Sequence, residues 1–236
     1  MKPASSISQV AGLMADPKRS AMLWALIDGM ARPADELALM TGVTSSSACA
    51  HLSLLSAAGL LRLEARGRKR YFRLTPEVGA AVEALASVQL GSRLESQVPD
   101  KTQQIPLSMR RARRCGNHLG GELAVDLYHR LSAAGWLEGD EMRPTVSLEG
   151  RKQLGAIGVY IDALAPGQRS GCMLCHCSEW SDQGPHIGGS LGHALLKLFL
   201  QSGWIREREG FRGLQISAFG VQCINGIAQR TARHMG

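Results

Sequence analysis

Helix-capping residues and glycines alternate at short intervals in the first quarter of the chain. These helix start and stop signals constrain the fold more than any other feature of the sequence. Asp16 precedes a proline and Thr44 precedes three serines, so each is placed to cap the start of a helix. Gly42 and Gly59 are typical of helix ends. The pattern predicts three helices, running from Pro17 to Gly29, from Asp35 to Met40 and from Ser45 to Ala58. The last two, joined by a tight glycine turn, form a helix-turn-helix pattern.

After Gly59 the periodicity changes from helical to extended. Two short strands are predicted, Leu60–Leu63 and Tyr71–Leu74, with the basic segment Ala65–Arg70 as the tip of the hairpin between them. A further helix follows over Thr75–Val88. This order of elements predicts a winged helix-turn-helix that binds DNA.

The charge of the chain agrees with a polyanionic partner, since the formal net charge is +7. Small and hydroxyl-bearing side chains at the exposed start of the third helix can approach base edges or phosphates: Ser45, Ser46, Ser47 and Ala50. Basic side chains at the hairpin can neutralise phosphates: Arg66, Arg68, Lys69 and Arg70. The alternatives are serines that only cap a helix and a charged loop that is only solvated.

Four segments follow one another in a specific order and spacing: Asp16–Arg19, Ala48–Leu55, Ala58–Leu61 and Gly67-Arg68. In these segments and their order, residues 5 to 90 resemble the ArsR/SmtB repressors. It implies a homodimer in which the first and last helices of the domain, around Ile7–Met14 and Val78–Val88, pair across a two-fold axis. Many metal sensors of that family carry cysteines in the helix before the recognition helix. Here that helix, Asp35–Met40, has none, so no metal specificity carries over from it.

An internal repeat occupies the rest of the chain. His118–Gly121 aligns with His186–Gly189, and at the same offset Gly135-Trp136 meets Gly203-Trp204. Matching residues at an unbroken offset indicate a duplication. Each copy also repeats the order seen after Gly59: a helix ends at glycine, an apolar pair follows, and a hydroxyl residue starts another helix.

These patterns predict a mainly α chain with small β-hairpin wings. Residues 1–90 form the winged helix-turn-helix domain for DNA binding and dimerisation, and 91–108, which are polar and lack periodicity, form a linker. Residues 109–236 form a duplicated helical sensor domain of two degenerate winged-helix-like repeats.

Five of the six cysteines lie in this second part and offer a chemical signal there. In a reducing compartment they indicate metal binding, redox chemistry or burial rather than a disulfide framework. Three of them stand with a histidine in one short segment: Cys172, Cys175, His176 and Cys177. Two or three of these thiolates could hold a thiophilic ion, zinc or heavier, with His176, His186 or Cys115 completing the site.

Cys115 is predicted to be a reactive thiol, because Arg113 and Arg114 precede it and are expected to lower its pKa. His118 and His186 occupy the same repeat position, so either both line one pocket or both only cap or pack. We expect Cys115 and the Cys172–Cys177 segment to come together with His118 or His186 nearby.

The sequence therefore predicts a homodimeric transcriptional repressor that binds a double-stranded, palindromic DNA operator and senses a thiophilic metal or a thiol-reactive signal. The start of the chain lacks a secretory signal, and no segment approaches ~20 apolar residues, so a cytosolic protein without membrane contact is expected. An enzyme is not expected, since no phosphate loop, nucleophile elbow or acid pair is present. The alternatives are a second domain that is only structural or binds an organic ligand, and a thiol oxidoreductase.

Overall fold

Helices and short antiparallel strands alternate in both of the compact units into which the chain divides, one up to residue 89 and one from residue 90 onward. The computed structural model describes residues 3–67, 69–86, 106–139, 144–164, 172–177 and 184–229. In the first unit the elements are α1 (Pro3–Met14), α2 (Pro17–Ala25), β1 (Arg32–Pro33), α3 (Ala34–Thr41), α4 (Ser45–Ala57), β2 (Leu61–Arg66), β3 (Lys69–Leu74) and α5 (Pro76–Ala86). The three strands form one antiparallel sheet in the order β1-β3-β2.

The helix caps predicted for the first unit are confirmed. The Asp16 side chain accepts the backbone N–H of Arg19 at 2.9 Å, and the Thr44 hydroxyl accepts that of Ser47 at 3.3 Å. Gly42 ends α3 with a φ of +66°, in the left-handed region that favours glycine. These contacts fix where α2, α3 and α4 begin and end.

One face of α4 is held in the core of the first unit. Ala48, Leu52 and Leu55 are fully buried, at the spacing of one helical face. Because this face is fixed, the residues on the opposite face, Ser46 and Ala50, are presented to solvent. The core thus determines which side chains of α4 a ligand can contact.

The β2–β3 hairpin is longer than predicted. β2 continues to Arg66 and β3 already begins at Lys69, and these two residues pair across the ladder. The prediction that Ala65–Arg70 forms the tip is wrong, since only positions 67 and 68 separate the strands. Charge suggested a loop, but an exposed ribbon accepts charged side chains on both faces, and Gly67, with a φ of +63°, makes the tight turn.

A buried ion pair lies in the segment that follows α2. That helix ends at Ala25 rather than at the predicted Gly29. Both guanidinium nitrogens Nη1 and Nη2 of Arg32 donate to the Asp28 carboxylate, each at 2.8 Å. The pair fixes the start of β1, which the sequence did not predict because a strand of two residues has no periodicity. The predicted end of α5, Val88, lies outside the described residues.

The second unit consists of α6 (Leu107–Arg110), β4 (Arg113–Cys115), β5 (His118–Gly120), α7 (Glu122–Ala133), β6 (Leu137–Glu138), β7 (Thr145–Val146), α8 (Leu148–Ala156), a 3-10 turn (Ile161–Ala163), β8 (Cys175–Cys177), β9 (His186–Gly188), α9 (Gly189–Gln201), β10 (Ile205–Arg206), β11 (Gln215–Ile216) and α10 (Ala218–Gly226). Its strands pair consecutively as four two-stranded antiparallel sheets. The helix α6 begins within the predicted linker 91–108, and positions 91–105 lie outside the described residues.

The same order of elements occurs twice in the second unit: a hairpin, a long helix, a two-stranded sheet and a shorter helix. Local contacts also recur, since the hydroxyls of Ser147 and Ser217 cap α8 and α10 by accepting the N–H of Gly150 and Gly220, each at 2.9 Å. The two long helices α7 and α9 share one apolar core. No helix among the described residues is both long and apolar enough to span a bilayer.

Gly150→Ala is expected to destabilise the second unit by about 2–4 kcal/mol, because the added Cβ would overlap the carbonyl oxygen of Trp136. Gly155→Ala in the same helix is the matched control, since its Cβ meets only the Tyr160 ring at 3.9 Å. The control should gain about 0.4–1 kcal/mol from the lower entropy of the unfolded chain. Urea denaturation followed by tryptophan fluorescence measures both, and equal midpoints for the two variants would contradict the packing described.

Candidate functional site

Two hairpins of the second unit each place a thiol opposite an imidazole. In β4–β5 Cys115 pairs with His118, and in β8–β9 Cys177 pairs with His186. Directly opposed residues of an antiparallel ladder project from the same face, so each hairpin presents one sulfur and one nitrogen together. Strands β5 and β9 contact one another, which brings the two pairs to one place.

The four side chains form a compact set, called here the donor cluster: Cys115, His118, Cys177 and His186. The two sulfurs lie 3.8 Å apart and the two Nε2 atoms 3.2 Å apart. All four donor atoms lie within 4.8 Å of one another. His186 is 0% and His118 8% exposed, while both thiols are partly buried. Soft sulfur and nitrogen donors at this separation could hold a metal ion.

The helix α9 lies close against the donor cluster. A Cβ at Gly192 would overlap the carbonyl oxygen of Ile187 on β9 and come within 3.0 Å of the Cβ of His118 on β5, so α9 packs directly against both strands. Asn117 Oδ1 lies 3.1 Å from Nδ1 of His118. These contacts orient the His118 ring with Nε2 toward the cluster.

The prediction that arginines activate Cys115 is wrong. Arg113 is fully buried and donates to the Met109 carbonyl at 2.9 Å, and Arg114 pairs with Glu207 at 2.7 Å. The hydrogen bond with the Cys177 thiol, together with burial, raises the pKa of Cys115 to about 12. Without a bound cation, Cys115 is therefore a poor nucleophile near neutral pH.

The residues predicted to contact bases lie at the start of α4. Ser45, Ser46 and Ala50 are exposed and Ser47 is half-buried. The Ser46 hydroxyl lies 3.2 Å from that of Thr44, so the side chains at this end are already hydrogen-bonded to each other. The first two turns of α4 thus offer hydroxyls and a small apolar residue on one exposed face.

The basic residues predicted to contact phosphates lie on the β2–β3 hairpin and are not equivalent. Arg66 forms an ion pair with Glu64 at 2.7 Å, and this hydrogen bond holds the pKa of the Glu64 carboxyl below its usual value. Lys69 and Arg70 are exposed, and no carboxylate of the described chain pairs with either of them. Arg68 lies outside the described residues.

No family model matches the chain. It is 31% identical over 216 residues to the HTH-type transcriptional regulator YdfF of Bacillus subtilis (strain 168), a match that covers 91% of this chain and 93% of the relative. The chain belongs to the HTH-type transcriptional regulators. The relationship is to a regulator and not to an enzyme.

A solved structure is also similar to part of this regulator. It is the homodimeric winged helix-turn-helix DNA-binding domain of a possible ArsR-family transcriptional regulator from Mycobacterium bovis, with 25% identity and a TM-score of 0.35. The match covers 41% of this chain and 88% of the solved domain.

Three residues of the regulator that were predicted to ligate a metal ion lie outside the donor cluster. The Cys172 thiol donates to the Leu174 carbonyl at 2.7 Å and is also hydrogen-bonded to the Cys175 thiol, whose pKa is raised by its burial and by Cys172. His176 is hydrogen-bonded through Nε2 to the Tyr128 hydroxyl at 2.9 Å. The structure brings together Cys115, His118, Cys177 and His186, and does not add Cys172, Cys175 or His176 to them.

Side chains alternate between the two faces of a β-strand, and this alternation explains in part which residues belong to the donor cluster. His176 lies between two cysteines on β8, so its side chain projects from the opposite face of the strand. Cys175 shares the face of Cys177, but its partner on β9 is Gly188, which offers no donor. Asn117 and Tyr128 contribute contacts that the sequence did not indicate, because both arise from neighbours brought close by the fold.

In the presence of a chelator, Cys115 is expected to react with iodoacetamide at pH 7 at least about a hundredfold more slowly than in the urea-unfolded chain, where its pKa returns to about 8.5. The rate should rise with pH, because the reactive thiolate forms only as the pH approaches the raised pKa. Peptide mapping by mass spectrometry measures each cysteine separately. A folded-state rate at pH 7 equal to the unfolded one would contradict the geometry.

Proposed function

We propose that this regulator is a repressor that binds a palindromic, double-stranded DNA operator as a homodimer. We further propose that its second unit senses a thiophilic metal or a thiol-reactive signal through cysteines. The observation that carries the DNA-binding half is the orientation of α4: its apolar face is buried in the first unit, and Ser45, Ser46 and Ala50 project outward from its first two turns. An exposed first turn of this kind can enter a major groove.

The β2–β3 hairpin supplies the electrostatic part of the proposed interface. Lys69 and Arg70 are exposed cations near the turn, whereas the charge of Arg66 is partly neutralised by Glu64. Each phosphate that a cation neutralises releases condensed counterions, so such contacts strengthen binding to any sequence. Base contacts from α4 then select the operator.

Dimerisation is proposed to use α1 and α5, the first and last helices of the first unit. Ile7 of α1 is 69% exposed and Leu85 of α5 is 59% exposed, although both are large apolar side chains. Two-fold pairing of these helices would cover both and would set two copies of α4 against two half-sites. This dimer contact is part of the proposal. We also propose that the chain belongs to the ArsR/SmtB group and that it divides into domains at 1–90, 91–108 and 109–236.

Sensing is proposed for the second unit, as residues 109–236 contain most of the cysteines and the donor cluster. We also propose that this unit arose by duplication of a winged-helix-like element, which the recurring hairpin, helix, sheet and helix support. The donor cluster draws two donors from each half. A ligand at this place would therefore change how the halves are held together, which is what a sensor requires.

Replacing Lys69 and Arg70 together by Ala is expected to weaken binding to a random-sequence duplex and to reduce the slope of log affinity against log salt by about 2, since two phosphate contacts are lost. Arg151→Ala is the control. It removes a charge of the same sign from the second unit, where Arg151 pairs with Asp162. Fluorescence anisotropy at several salt concentrations measures the slope. An unchanged slope in the double variant would remove the hairpin from the interface.

The double variant Ile7→Glu and Leu85→Glu is expected to be monomeric at micromolar concentration, because it places charges in the proposed apolar contact. Leu148→Glu is the matched control, as Leu148 is 86% exposed on α8 of the second unit. Sedimentation velocity distinguishes the two. A wild-type monomer, or a control that dissociates equally, would exclude α1 and α5 as the dimer contact.

A further inference from the structure

We propose that the donor cluster binds one zinc ion in a closed tetrahedral site formed by Cys115, His118, Cys177 and His186. The inference deepens the proposed function. It rests on that function only for the effect of zinc on DNA affinity. The ion itself is detectable without DNA.

Two separations between donor atoms match edges of a zinc tetrahedron. The edge of a tetrahedron is about 1.63 times the bond from its centre, so Zn–S bonds of about 2.3 Å separate two sulfurs by about 3.8 Å. Zn–N bonds of about 2.0–2.1 Å separate two nitrogens by about 3.3–3.4 Å. The observed separations are 3.8 Å between the sulfurs of Cys115 and Cys177 and 3.2 Å between the Nε2 atoms of His118 and His186. Each of these two separations fits an edge of a zinc tetrahedron, and all four donor atoms lie within 4.8 Å of one another.

The chemistry of the donors selects the ion. Two thiolates and two imidazoles are soft and borderline ligands, which zinc prefers and which calcium and magnesium do not. Four protein donors fill a tetrahedral shell and leave no open position for a water or a substrate. The site is thus suited to structure or sensing rather than to catalysis.

The tautomer of His118 is prepared for a metal. Asn117 Oδ1 lies 3.1 Å from Nδ1 of His118, an acceptor that favours the tautomer with its proton on Nδ1 and leaves the Nε2 lone pair toward the cluster. That lone pair faces Nε2 of His186 at 3.2 Å in a nearly water-free place. A cation between the two rings satisfies both nitrogens at once.

Binding would join the two halves of the second unit. One ligand pair comes from the hairpin that leads into α7 and the other from the hairpin that leads into α9. Zn²⁺ replaces the two thiol protons, which are released to solvent, and forms two Zn–S and two Zn–N bonds. The ion is therefore a cross-link between halves that also share an apolar core and polar contacts such as the Arg114–Glu207 ion pair.

Metal analysis of the full-length protein tests the proposal directly. Wild type purified without added chelator should contain about one zinc per chain. After removal of zinc, Co²⁺ should restore the intense visible bands of a tetrahedral cobalt centre and the near-ultraviolet charge-transfer band of thiolate ligands. A wild-type protein that retains no zinc and shows neither band would overturn the proposal.

Variants test which residues bind. Cys115→Ser and Cys177→Ser should each lower zinc affinity at least tenfold, whereas the matched controls Cys172→Ser and Cys175→Ser should bind like wild type. If a ligand variant fails to fold, Asn117→Ala keeps all four donors and should still weaken zinc binding by about tenfold or more. Control variants that lose zinc as strongly as Cys115→Ser would overturn the assignment of ligands.

A separate DNA measurement distinguishes the two proposals. Affinity for duplexes that the protein selects from a random-sequence pool is compared before and after removal of zinc. A zinc-containing protein whose affinity does not change contradicts the sensing role and leaves the site established. A protein that binds these duplexes but no zinc contradicts the site and leaves DNA binding established.

Discussion

Antiparallel pairing in two short hairpins is the constraint from which the site in the second unit follows. Cys115 opposite His118, and Cys177 opposite His186, are fixed by backbone ladders rather than by the side chains themselves. A shift of one residue in either ladder would turn a donor to the other face and would dissolve the set. The long helices α7 and α9 then hold the two hairpins against each other through a common apolar core.

The first unit depends on a comparable division between buried and presented residues. Its core fixes α4 through Ala48, Leu52 and Leu55, while hydroxyls and a methyl group remain outside. Such a helix can exchange its outward side chains without altering the fold. The membership of the chain in the HTH-type transcriptional regulators agrees with this arrangement.

Much of the first unit could be predicted from its sequence because its signals are local. The caps at Asp16 and Thr44 and the turn at Gly42 depend on residues within one helical turn, so the sequence displays them. The extent of the β2–β3 hairpin and the short strand β1 depend on partners elsewhere in the chain, and periodicity cannot reveal them. Charge was a misleading guide at Arg66 and Lys69, since an exposed strand tolerates charge as readily as a loop does.

The donor cluster could be predicted only in part for the same reason. The repeat placed His118 and His186 in equivalent positions, and the cysteine spacing indicated Cys177 as a ligand. Cys172 and His176 were predicted as ligands only because they are close to Cys177 in sequence. The pKa of Cys115 was predicted in the wrong direction, because neighbours in sequence were counted and neighbours in space were not. The long-range contact between β5 and β9 decides membership of the set.

The two halves of the donor cluster differ in the length of chain that closes them. Gly116 and Asn117 alone separate the paired strands β4 and β5, whereas residues 178–185 separate Cys177 from His186. Closing the longer segment costs roughly 1 kcal/mol more of chain entropy than closing the shorter one. The first donor pair therefore closes at the lower entropic cost, and the second pair carries the larger part of the cost of bringing the four donors together. Two donor pairs that occupy equivalent positions in the repeat thus differ in the entropy that their closure costs.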